Sequence, residues 1–133
     1  MNSLSPFLLL ILAFSCAPIL LANACCPFPA FSFSTMTNVP KEEFKCSEPI
    51  TVTCQFTTDE DPEDDKKVHV GIAGNVTIQE GVKVTVLKKG KGAISASLTC
   101  DTTTNLWSVN KSEKKYSNVG CVMSNTGSNW IIY

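Results

Sequence analysis

The placement of cysteine constrains this chain more than any other feature. Its 133 residues contain seven, at Cys16, Cys25, Cys26, Cys46, Cys54, Cys100 and Cys121. Cys16 sits in an N-terminal stretch without charged side chains, whose apolar run from Phe7 to Leu21 is about 15 residues long and is broken by Ser15, Cys16 and Pro18. A membrane-spanning helix needs roughly 20 apolar residues. A secretory signal needs fewer, followed by a small-x-small site such as Ala22-Asn23-Ala24. Residues 1–24 therefore read as a signal peptide cleaved after Ala24. Its removal takes Cys16 away and turns an odd cysteine count into an even one, as an oxidising compartment favours.

Cys25, Cys26, Cys46, Cys54, Cys100 and Cys121 are then expected to form three disulfides. Adjacent Cα atoms lie about 3.8 Å apart, below the usual disulfide span. Excluding a Cys25–Cys26 bond leaves 12 of the 15 pairings that six cysteines allow. A zinc site would want close cysteine pairs with histidine support. The only tight pair is the adjacent one and the only histidine is His69, so no metal is expected.

The remaining composition narrows the partners. There are 11 lysines, no arginine, 12 acidic residues and a net charge of −1. Nucleic-acid recognition leans on guanidinium groups and a basic surface, so a nucleic-acid partner is not expected. No segment after residue 24 is long and apolar enough to span a membrane, and residues 124–133 are too short and polar for a lipid-anchor signal. The expected product is released, secreted and extracellular, with an extracellular protein or glycan as its partner.

Residues 25–45 read as an arm rich in proline and phenylalanine. Pro27 and Pro29 remove donors that a central strand would need, and Phe28, Phe31 and Phe33 are expected to lie over the core. Residues 46–123 read as a β domain. Ile50, Val52, Cys54 and Phe56 alternate with Thr51, Thr53 and Gln55, the period of a half-buried strand. Similar alternation recurs at Val68/Val70/Ile72, Val76/Ile78, Val82/Val84/Val86 and Ile94/Ala96/Leu98/Cys100, with shorter runs around Trp107 and Cys121. Turn-rich breaks are expected at 71–75, 80–81, 90–92 and 101–105. No stretch has helical periodicity. The fold class is all-β, a small disulfide-stapled β-sandwich, with 124–133 as a C-terminal tail. An immunoglobulin signature fails, because Trp107 follows Cys100 instead of lying between Cys54 and Cys100.

Several segments carry a further likeness: Cys46 with Ile50-Thr51-Val52-Thr53-Cys54, Ala96-Ser97-Leu98-Thr99-Cys100-Asp101, Asn105-Leu106-Trp107 and Val119-Gly120-Cys121. This frame resembles the nematode six-cysteine domain, a family of small secreted or surface modules. With the two N-terminal cysteines the resemblance covers roughly residues 25–123. It departs in one respect: Cys25 and Cys26 are adjacent, where the family more usually separates its first two cysteines. The resemblance implies a disulfide-stapled β domain and no established biochemical activity.

Catalysis has little to draw on. One histidine, no arginine and no free thiol leave no nucleophile–base pair, and His69 alternates with Val68 and Val70, so it reads as a solvated strand histidine. No phosphate loop, dinucleotide fingerprint or metalloprotease helix occurs, and no cofactor is expected. The acidic run at 59–65 is oxygen-rich enough to suggest calcium. It lacks the spacing and central glycine of a calcium loop, so a solvated connection kept open by self-repulsion is expected. Two glycosylation sequons begin at Asn75 and Asn110. Lys88-Lys89-Gly90-Lys91 reads as a hairpin tip made soluble by charge, with docking of an anionic glycan as the sharper alternative. The function expected is that of a non-enzymatic secreted binding or surface/matrix-associated module. The alternative is a secreted defence or toxin-like protein, which the net charge of −1 disfavours.

Overall fold

The computed structural model describes residues 25–30, 32–58, 60–76 and 84–133. The expected signal peptide 1–24 lies outside them, as do Phe31, Asp59, Ile78, Val82 and the expected break at 80–81. The described chain forms nine strands in two antiparallel sheets, the sandwich that the alternating pattern predicts. One sheet has the order β1-β2-β5-β6-β7, from Thr35–Thr37, Ile50–Gln55, Ala93–Asp101, Leu106–Val109 and Lys115–Tyr116. The other has the order β4-β3-β8-β9, from Thr85–Lys91, His69–Gly74, Val119–Ser124 and Ile131–Ile132.

The five-stranded sheet follows the sequence period closely. In β2, Ile50, Val52 and Cys54 are buried while Thr51 and Thr53 are half-exposed. In β5, Ala96, Leu98 and Cys100 are buried while Ser95, Ser97 and Thr99 face solvent. Cross-strand register places Val52 opposite Ala96 and Ile50 opposite Leu98, so the apolar halves of both strands share one face. That face meets Ile72, Val119 and Cys121 of the other sheet to make the main core. Trp107 is completely buried there, and its indole Nε1 donates to Pro27 O at 2.8 Å. Burying an indole without a partner for its N–H is costly, so the arm's carbonyl completes the core chemically as well as sterically.

The four-stranded sheet departs from the expected pattern. Residues 71–75 are not a turn: β3 continues through Gly74 and is buried on both faces. Gly74 has no side chain because the Tyr116 ring occupies that space, 2.3 Å from where a Cβ would stand. At Gly71 a Cβ would lie 3.0 Å from both the Trp130 ring and Val122. These glycines permit close approach within a strand, a second use of glycine that a sequence pattern does not separate from a turn. The outer face of this sheet carries a second small cluster, Ala73, Val76 and Val122, covered by Val84, Val86, Trp130 and Ile132.

Residues 88–91 are likewise not a hairpin tip. They belong to β4, and only Gly92, at φ +70°, separates β4 from β5. At that residue the chain crosses from one sheet to the other, a corner that glycine's left-handed conformation allows. Gly92 N donates to Val68 O and Gly92 O accepts from Phe56 N, which fixes the corner in place. Within the arm, Phe28 packs on Phe44 at 5.5 Å, and Phe44 on Trp107 at 5.7 Å. Phe33 does not lie over the core; it is fully exposed at the turn between Ser32 and Thr35. The arm contributes β1, paired with β2, and residues 124–133 contribute β9, paired with β8.

Candidate functional site

The six cysteines form three disulfides: Cys25–Cys46, Cys26–Cys100 and Cys54–Cys121, with Cα separations of 5.4, 5.7 and 5.4 Å. Adjacent Cys25 and Cys26 diverge. The first holds the loop before β2 and the second holds β5, so the arm is fixed at two points. Cys26 N also donates to Cys100 Sγ at 3.1 Å. Cys54–Cys121 joins β2 to β8 and therefore staples one sheet to the other. With every one of these thiols oxidised, none remains for a zinc site. Among the described residues, no group of three or more His, Cys, Asp or Glu is placed to hold a metal ion.

From Asp61 to Asp65 the acidic run is folded instead of being held open by repulsion. Asp61 caps the short helix α1, Pro62–Asp65, by accepting from Glu63 N at 2.9 Å. Lys66 and Lys67 neutralise Glu63 and Asp64 at 2.6 Å each. Asp65 is buried and accepts from Thr58 N and Thr58 Oγ1 at 2.6 and 2.7 Å. These carboxylates are committed to the local fold through charge-assisted bonds. A cleft of about 400 Å³ beside them, between Phe56, Pro62, Lys66 and Lys91, includes only Asp65 of these carboxylates in its lining, and that one is already bonded to Thr58.

Asn75 and Asn110 are both exposed and both adopt positive φ, 53° and 50°. Among the described residues, each side chain bonds only through its oxygen. Asn75 Oδ1 accepts from Ser117 N and Ser117 Oγ at 2.9 and 3.0 Å, and Asn110 Oδ1 accepts from Ser97 N at 3.0 Å. Among the described residues, neither Nδ2, the atom that takes an N-linked glycan, is hydrogen-bonded. Thr77, which completes the first sequon, lies outside the described residues.

Asp101 closes the turn from β5 to β6. The Lys115 ammonium beside it, helped by Thr103 N, holds its carboxyl well below the usual carboxylate range. His69 is not fully solvated: it is half-buried, with its ring 3.2 Å from where a Cβ on Gly127 would stand.

The lysine run acquires an aromatic neighbour. Lys89 is opposite Gly71 and Lys91 opposite His69, so all four lie on the outer face of the sheet. The space left by the absent side chain of Gly71 is taken by Trp130. Trp130, Val86 and residues 87–89 line a shallow cleft of about 220 Å³. Trp130 falls within the segment that reads as a tail; its one sequence signal is a large aromatic just before Ile131-Ile132 in an otherwise polar stretch.

No family model, curated protein or solved structure matches the chain. The three disulfides fit a small disulfide-rich domain of the extracellular type. Among the described residues no helix is long and apolar enough to cross a membrane.

Proposed function

We propose that the protein is a secreted, non-enzymatic binding module of the extracellular space, related in kind to the nematode six-cysteine domain that its cysteine frame resembles. The observation that carries this reading is the disulfide arrangement, which fixes the arm, both sheets and the core to one another. Such a scaffold loses little conformational freedom on binding, and preorganisation of this kind favours recognition by its surface. Asn75 and Asn110 are glycan acceptors in this reading, both with an unoccupied amide nitrogen at the surface among the described residues.

The test is expression in a secretory host, with the N-terminus sequenced and free thiols counted in the released material. The expected result is a chain that begins near Cys25, carries no free thiol and migrates faster on a gel after peptide-N-glycosidase treatment. Oxidised protein immobilised on beads should retain extracellular-matrix material that the reduced and alkylated protein does not. Retention in the cell, free thiols in the native protein, or equal capture by both forms would overturn the proposal.

A further inference from the structure

We infer that the outer face of the four-stranded sheet binds one pyranose unit of an anionic glycan, stacked on Trp130 and neutralised by Lys89 and Lys91. The inference rests on the binding-module reading and names the ligand class.

Three observations converge on it. The first is the platform: Gly71 lets the indole of Trp130 settle against the backbone of β3, where it stays half-buried instead of disappearing into the core. A flat aromatic body presented at a surface is suited to the apolar face of a sugar ring. The second is charge. Register puts Lys89 and Lys91 on the same face as Trp130. Lys89 lines the Trp130 cleft itself, and Lys91 lies two residues further along β4, where it also borders the cleft beside α1. Neither takes part in the four ion pairs found among the described residues. Lys88 differs, because its ammonium reaches across to Ser95 O at 2.7 Å and braces the strand. The third is size. A cleft of about 220 Å³ is smaller than the roughly 300–1,000 Å³ of a pocket for a drug-sized molecule, and it is open. It suits one ring of a chain that runs on past it.

Edge strands often carry lysine simply to prevent sheet-to-sheet pairing, and β4 is an edge strand. That role needs no aromatic partner, so the dependence on Trp130 separates the two.

Intrinsic tryptophan fluorescence reads the site directly. The chain has two tryptophans, and Trp107 is fully buried with its N–H occupied. The oxidised protein, residues 25–133, should be titrated with a heparin-derived hexasaccharide, a galacturonate hexamer, neutral maltohexaose and a short DNA duplex. Saturable quenching is expected with one or both acidic sugars, and their comparison shows whether sulfate or carboxylate is preferred. Maltohexaose and DNA should give little. Lys89→Gln/Lys91→Gln and Trp130→Ala should each weaken acidic-sugar binding by about tenfold or more, followed by calorimetry where the fluorophore is lost. Trp130→Phe, which keeps an aromatic body over Gly71, should weaken it less. Lys41→Gln/Lys45→Gln, in the segment before β2 and outside the Trp130 cleft, should leave it unchanged.

Absence of binding to both acidic sugars overturns the inference. So does equal binding of DNA, an equal loss in the Lys41/Lys45 variant, or no loss on replacing Trp130. If the sugars fail while the oxidised protein still retains matrix material, only the ligand class is wrong. Failure of both removes the binding-module reading as well.

Discussion

The two sheets of this sandwich obey the same physics and look different. In the five-stranded sheet, one face is covered and the other is wet, so β5 alternates cleanly between buried and exposed side chains. In the four-stranded sheet, β3 is buried on both faces from Val70 to Gly74, because Trp130, Ile132, Val84 and Val86 cover the outer side. A small domain has little apolar area to bury. Here the chain gains a second, minor core by folding its own C-terminal residues over the back of one sheet. The requirement is space, and on that outer side Gly71 provides it, while Gly74 makes room for Tyr116 on the inner side.

Removing the staple between the sheets probes this difference most strongly. Cys54→Ala/Cys121→Ala opens a link between residues 67 apart in sequence, and a loop of that length predicts a loss of roughly 4 kcal/mol. That is a large part of the roughly 5–15 kcal/mol typical of a whole domain. Cys25→Ala/Cys46→Ala, across a separation of 21, should cost about 3 kcal/mol by the same reasoning. Urea denaturation measures both. A loss below about 1 kcal/mol for the first pair would show that packing alone holds the sheets together.

Alanine substitution within strands sharpens the comparison at the next level. Gly74→Ala drives a methyl into the Tyr116 ring and should cost about 2–3 kcal/mol. Gly71→Ala meets the Trp130 ring and Val122 more gently, and about 1–2 kcal/mol is expected, with a shift in Trp130 emission as the indole moves. Ser97→Ala, on the wet face of β5, should stay within about 0.5 kcal/mol. If Gly74→Ala proved as mild as Ser97→Ala, the close approach at β3 would not be a packing constraint.

The smallest effect is electrostatic and belongs to the five-stranded sheet. Lys115 lowers the pKa of Asp101 in the folded protein, so the ionised carboxylate contributes stability above its unfolded pKa of about 3.9 and loses it as the pH falls through the folded value. Asp101→Asn should therefore lower the melting temperature slightly at neutral pH. The gap from the parent should narrow as the pH drops below about 4. A gap of constant size across that range would show that the effect does not come from ionisation of the carboxyl.

Much of the scaffold was legible in the residues. Period-two alternation located β2 and β5, and Asp101 to Asn105 marked the turn before β6. Glycine signals either a turn or a close approach, and local sequence does not contain the neighbour that decides between them. At 71–75 Tyr116 and Trp130 make it a close approach within β3; at 90–92 both occur, because Gly90 admits Ile94 while Gly92 makes the expected break as the corner between β4 and β5. Local sequence does not mark Trp130 as a site residue, because its partners, Gly71 and Val86, lie more than forty residues away in the chain.

The amino-acid pattern by itself determined an all-β sandwich and the six cysteines from which its disulfides are made, because side-chain alternation is a local property. Which cysteine bonds to which, which strand is covered twice, and which lysines share a face with an indole were decided only by tertiary structure. Those relations join residues that the chain holds far apart until register and packing bring them together.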